Sequence, residues 1–341
     1  MKKIVNILLA LFFSLTLLFS GCFLDKNDGT ALTVYCPDGA PALSVAKILA
    51  EEREDFDVNV VVASTINAYV TGENPTADIC IMPVNASVKL LGNGNTYKML
   101  GVVTHGNLFI LKKGDAPDVT SNNIDEVLIG KKVGVINLAN VPGLTFKAIL
   151  KDRDIPFSTI TEENGDVQAD KVNLVGLTDG TQVVPNSQCD YFVVPEPAVS
   201  TKIKATANHP TSSLKLAGSL QALYGTSNGY PQAVVVAKKS VIESQPKKIE
   251  DFIQALNDNA SWIKTAPAET IVNAVISGFL KEGTAPTFTA NNLNSTVIEN
   301  CAISFVPASQ SKTEVLEYMQ KINGISNNAF TAPSDNFFYQ G

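Results

Sequence analysis

Apolar positions fall into two regimes along this chain. Residues 4–19 are almost uninterruptedly apolar, with Lys2 and Lys3 ahead of them and polar chain from residue 25 onward. A positive start followed by an apolar run is the layout of a secretory signal peptide. A spanning helix needs roughly 20 apolar residues, so a permanent anchor is the alternative. Beyond residue 30 the apolar positions come in short segments. Residues 32–36 form a β-type run that Pro37-Asp38-Gly39-Ala40-Pro41 breaks, and residues 42–54 carry a helical stripe at Leu43, Ala46, Ile48, Leu49 and Ala50. Residues 58–63 are rich in β-branched side chains, as a buried parallel strand requires. Residues 77–82 repeat that pattern, and 85–91 follow as a short helix. This β-α-β-α-β succession predicts a doubly wound α/β layer.

A strand over 105–112, ended by Gly114-Asp115-Ala116-Pro117, leads into a second set: strands at 132–136, 172–176 and 190–194, helices at 143–151 and 196–205. One more strand, 233–237, precedes a tail read as helical at 246–264, 267–279, 291–301 and 312–322. There is no repeat at a fixed period and no low-complexity segment. The pattern predicts an α/β chain of two doubly wound lobes joined by two hinge strands, with a helical C-terminal part. Lobe 1 is discontinuous, 31–108 and 233–341, and lobe 2 is 109–232, with crossings near 105–112 and 230–236. Two crossings make a hinge that closes on a ligand, held where strands end and helices begin.

Charge narrows the partners. The chain has 26 basic against 33 acidic side chains, a net charge of −7, and removing Lys2 and Lys3 makes the remainder more acidic. No basic stripe exists to neutralise phosphates, so nucleic acid is not an expected partner. Cys36, Cys80, Cys189 and Cys301 are widely spaced beside apolar residues and show no metal-ligand spacing. They read as small buried side chains, although export would permit a disulfide. Neither an H-E-x-x-H helix nor a Gly-rich phosphate loop occurs. With two histidines, acid-base chemistry would rest mainly on carboxylates. No cofactor and no metal are expected.

Two resemblances add to this. Phe19-Ser20-Gly21-Cys22 resembles the lipobox of bacterial lipoproteins. It implies a leader of residues 1–21 cut before Cys22, a thiol carrying diacylglycerol, an acylated amine and a lipidated tether over 22–30. Two or three chains at about 0.8 kcal/mol per buried CH₂ anchor stably. The protein would then sit at the outer face of the bacterial cytoplasmic membrane. In order, TVYCPDGAPALSVAKIL, ADICIMPVNASVKLL, KMLGVVTHGNLFIL, KKVGVINLANVPGLTFKAIL, CDYFVVPEPAVSTKI and GYPQAVVVAKKSVIESQPKKIEDFIQAL resemble segments of type II periplasmic substrate-binding proteins of ABC importers. The closest subgroup in style binds nitrate, taurine, sulfonates and thiamine precursors. The resemblance covers roughly residues 31–325. It implies a monomer that captures a small molecule without chemistry and hands it to the transmembrane subunits of an ABC permease. A ligand-sensing lipoprotein is the alternative, and some enzymes of menaquinone and pyrimidine biosynthesis resemble the same fold.

In that family the pocket is built from strand-to-helix turns, and four stretches match: Asp38-Gly39-Ala40-Pro41, Pro83-Val84-Asn85, the run from Asn140 through Gly143 to Thr145, and Pro195-Glu196-Pro197. Thr65, His105 and Asn107 join the candidate set, and Tyr224 with Tyr230 is a candidate aromatic wall. Each has a structural alternative. Asp38, Asn85 and Asn140 are also ordinary turn and capping residues, Glu196 suits a helix start, His105 suits a polar residue packed under the crossing, and the tyrosines suit a core. His209 reads as a loop residue. Arg53 and Arg153, the only arginines, lie in acidic runs. A bidentate guanidinium clamp on a carboxylate or sulfonate is therefore not expected. A neutral or weakly charged ligand follows, with a heteroaromatic vitamin or precursor as the first guess.

Overall fold

The computed structural model describes residues 30–326 and 330–341. The expected leader, Cys22 and the tether as far as residue 29 lie outside the described residues.

Twelve strands are described: β1 (Leu32–Pro37), β2 (Phe56–Val61), β3 (Ile79–Pro83), β4 (Tyr97–Thr104), β5 (Leu108–Lys113), β6 (Lys132–Ile136), β7 (Phe157–Ile160), β8 (Val172–Leu177), β9 (Tyr191–Pro195), β10 (Leu214–Ser219), β11 (Ala233–Lys238) and β12 (Ile303–Pro307). They make two six-stranded sheets, in the orders β12-β4-β11-β3-β1-β2 and β10-β5-β9-β6-β8-β7. Within each sheet the βα-connected strands are parallel: β2, β1 and β3 in the first, β7, β8, β6 and β9 in the second. The strands that follow the crossings run against them. β11 is antiparallel to β3 and β4, and β5 is antiparallel to β9 and β10. The chain leaves the first sheet at 105–107 and returns at 225–232.

The apolar runs explain the strands. β3 and β6 are buried along nearly their whole length, which is why they are continuous rather than alternating. Helices Pro246–Trp262 and Ala268–Ser277 cover one face of the first sheet with Ile249, Phe252, Ile271 and Val275. A second core runs across both sheets, joining Met99, Val102, Leu108, Ile110, Leu144 and Tyr318. The helix Ala308–Ile325 packs on β4 and also on the helix Val141–Lys151. That makes a third, non-covalent tie between the two halves.

Several expectations need correcting. The stripe over 42–54 is two short helices, Ala40–Leu43 and Ala46–Ala50. At the break, Leu43 O accepts from Asn259 Nδ2 (3.0 Å) and Lys47 N donates to Asn259 Oδ1 (2.9 Å). Asn259 is fully buried, so one distant carboxamide replaces the missing helical bonds. The tail is not wholly helical: the predicted helix over 291–301 shrinks to Ser295–Asn300, and β12 follows as an edge strand. By contrast, Cys36, Cys80, Cys189 and Cys301 are buried free thiols, as their apolar neighbours predict. Among the described residues, no helix is long and apolar enough to cross a membrane.

Candidate functional site

A cavity of about 540 Å³ opens where the parallel strands of the first sheet end, and its opposite wall belongs to the second sheet. From the first sheet come Asp38 and Pro41 after β1, Ser64 and Asn67 after β2, and Asn85 and Ala86 after β3. The second contributes Asn137, Asn140, Val141 and Pro142 after β6, and Gln232 enters from the return crossing. The amino ends of two helices, Val84–Leu91 and Val141–Lys151, therefore meet there from opposite sides. The first-turn N–H groups of a helix have no intrahelical acceptor, and the dipole adds a partial positive charge.

Local chemistry sets each wall. Asp38 Oδ1 accepts from Gly39 N (2.8 Å), and its Oδ2 accepts from Thr287 N (2.9 Å) and Thr287 Oγ1 (2.7 Å). Gly39 has φ +104°, a conformation that suits glycine. Neither Asn85 nor Asn140 caps its helix through its side chain, which removes capping as the reason for either residue. Asn85 Oδ1 and Gln232 Oε1 are buried at the wall with no hydrogen-bond partner. At the second helix start, a Cβ on Gly143 would fall 1.9 Å from Leu138 O, so only glycine fits that turn. Among the described lining residues there is no Lys, Arg, His or aromatic side chain, and Asp38 carries the only formal charge. Arg53 binds Asp55, and Arg153 donates to the carbonyls of Ile149 and Leu223.

Other candidates lie elsewhere. Thr65 Oγ1 turns back to Val62 O (2.8 Å) and does not line the cavity. Thr145 is fully buried and bonded to Tyr318 OH (2.7 Å). Tyr224 and Tyr230 form no wall. They pack with Tyr318 at centroid distances of 5.6 Å (224–230) and 6.1 Å (230–318), and burial pushes all three phenols well above their usual pKa. Asn107 is part of the crossing, its Oδ1 accepting from Gln232 Nε2 (2.8 Å). Glu196, 3% exposed, accepts from Ser200 N (3.1 Å) and Ser200 Oγ (2.9 Å) and from Asn300 Nδ2 (2.8 Å). It is a helix-start carboxylate that also reaches the first-sheet half. His105 lines a different hollow.

Sequence reasoning missed Ser64, Asn67, Asn137 and Gln232. The rule that found Asn85 and Asn140 would have found Asn137, which follows β6 in the same strand-to-helix turn, but not Gln232, which leads from a loop into β11. The stretch Gly225-Thr226-Ser227-Asn228-Gly229 has the spacing of a nucleophile elbow. An elbow needs a strand-to-helix turn, whereas this stretch follows the helix Leu220–Tyr224, and Ser227 is exposed on a loop. Among the described residues no cluster of three or more His, Cys, Asp or Glu side chains is disposed to hold a metal.

No family model and no curated protein matches this chain. Solved structures do. An ABC transporter from Parabacteroides distasonis superposes with TM-score 0.67 at 18% identity, over 91% of this chain and 99% of that one. The periplasmic aliphatic sulphonate binding protein of Escherichia coli gives 0.61 at 13% identity, over 91% and 92%. The ligand binding component of an ABC-type import system from Staphylococcus aureus, with zinc bound, gives 0.57 at 10% identity, over 91% and 96%. At such identities the likeness concerns architecture: the chain has the two-lobed α/β fold of periplasmic binding proteins, with a helical C-terminal part.

Proposed function

We propose that this protein captures a small organic molecule in the cavity between its two halves and delivers it to an ABC-type permease. The observation that carries this reading is the cavity itself, walled by strand ends of one sheet and a helix start of the other, on a fold whose neighbours include ABC import proteins. Asp38, Asn85, Asn137, Asn140 and Gln232 are the proposed contacts. Export by the 1–21 leader and anchoring through Cys22 would keep the protein beside its permease as a monomer.

The lining supports a neutral or weakly charged ligand. An anion such as a sulfonate would find two helix starts but no cationic side chain, and it would face Asp38. A vitamin or precursor with ring N–H and carbonyl groups matches the carboxamides, which offer donor and acceptor together. With no aromatic lining residue, such a ring would be held by its edges rather than stacked. Binding selects the closed form by its differential affinity for it.

The test is a thermal-shift panel of vitamins, their precursors, nucleobases, sulfonates and amino acids, because a ligand of the native state stabilises by RT ln(1 + [L]/Kd), about 2.7 kcal/mol at 100 Kd. One chemically coherent neutral class should raise the melting temperature. A response confined to sulfonates would overturn the ligand assignment.

A further inference from the structure

His105 is 4% exposed, and neither Nδ1 nor Nε2 has a hydrogen-bond partner. It lines a hollow of about 280 Å³ that shares no lining residue with the cleft cavity, among Ile263, Ile298, Ile303 and Val306. Its backbone is the knot of the first crossing. His105 N donates to Ala302 O (3.2 Å), and His105 O accepts from Tyr230 N (3.4 Å). A Cβ on Gly229 would lie 2.2 Å from that same carbonyl oxygen. One residue thus ties the outgoing crossing to the returning one and to the turn before β12.

In the packed position no charged group is hydrogen-bonded to either ring nitrogen. Lys264 and Glu299 line the hollow, and neither pairs with the ring. Cys301, next to Ala302, has its thiol pushed well up by burial. The Glu196 carboxylate is taken by Ser200 and Asn300. A buried, unpaired charge is costly.

We propose that His105 makes the crossing pH-sensitive: neutral, it stays packed between the two chain passages, and protonated, it leaves that position and loosens the link between the two sheets. Burial lowers its pKa, and the Ser304 backbone, outside hydrogen-bonding geometry, offsets only part of that. The unfolded imidazole takes up its proton near pH 6.5, before the buried one does. The contribution to stability is therefore full above that pH and is lost as pH falls toward the folded value. Loss of the proton on neutralisation restores the packed crossing.

The chain has two histidines, so ring NMR is tractable, with a His209→Gln variant leaving His105 alone. In a titration from about pH 8 to about pH 5, the His105 ring should remain neutral where a free imidazole, pKa ~6.5, is half charged. On its protonation the backbone resonances of 105–107 and 229–232 should shift in the same step. Acidification should also lower the melting temperature of the unsubstituted protein more than that of His105→Gln. A ring that titrates as a free imidazole does, or parallel melting profiles for the two proteins, would overturn the proposal. If His105→Gln does not fold, the titration of the unsubstituted protein decides alone.

Discussion

The Asp38 carboxylate already accepts three hydrogen bonds, two of them from Thr287, which lies 249 positions along the chain. Removing it therefore does more than alter the cavity wall. Asp38→Ala should cost about 1 kcal/mol, since hydrogen bonds to a charged group are worth somewhat more than neutral ones and this group is partly solvated. Urea unfolding reads the cost, and a midpoint equal to that of the unsubstituted protein would show that the Thr287 contacts contribute nothing. Gly143 is a sharper case. The backbone carbonyl of Leu138 cannot yield as a side chain would, so Gly143→Ala should lose about 3 kcal/mol or more, or displace the helix start that lines the cavity. A Gly143→Ala protein with unchanged stability and unchanged cavity would contradict the geometry given for that turn. Asn85 and Asn140 differ from both. Their side chains cap nothing, so removing them should spare stability and reduce ligand affinity alone.

Among the elements, legibility followed locality. The β6 run and the start of Val141–Lys151 were readable because a continuous apolar strand followed by Asn, Pro and Gly is a local signal. β10 and β12 were not. Each is a short edge strand paired antiparallel on one side only, and Leu216 in β10 is 49% exposed, so no continuous apolar run marks it. The broken helix after β1 was equally hidden, since its cause is a carboxamide 212 positions away. Asn259→Ala would leave Leu43 O and Lys47 N without that partner, which should cost about 2 kcal/mol with little change in m-value. The sequence left the tyrosines open between cavity wall and core for the same reason, because the burial of Tyr230 depends on Tyr318, far along the chain. Thr145 and Tyr318 link the cavity-lining helix to the C-terminal helix. Tyr318→Phe and Thr145→Val should each destabilise by about 1–2 kcal/mol, and the double variant by less than their sum, because only a single change strands a buried hydroxyl. Strict additivity would remove that bond from the account.

At the scale of the whole molecule, two sheets, two crossings and one bridging C-terminal helix place a carboxamide-rich cavity between halves that share part of a core. Composition already argued against an anion clamp. The structure adds that both arginines are engaged elsewhere and that no cationic side chain lines the cavity among the described residues. The proposed function is capture without chemistry in that cavity. It is tested most directly by calorimetric titration of the compound that most stabilises the protein in the thermal-shift panel, followed by mass analysis of the recovered compound. One molecule should bind per chain and be recovered unaltered, with Asn140→Ala weakening binding about tenfold, a loss of about 1.4 kcal/mol, at an unchanged melting temperature. A chemically altered compound, or full affinity in Asn140→Ala, would contradict that function.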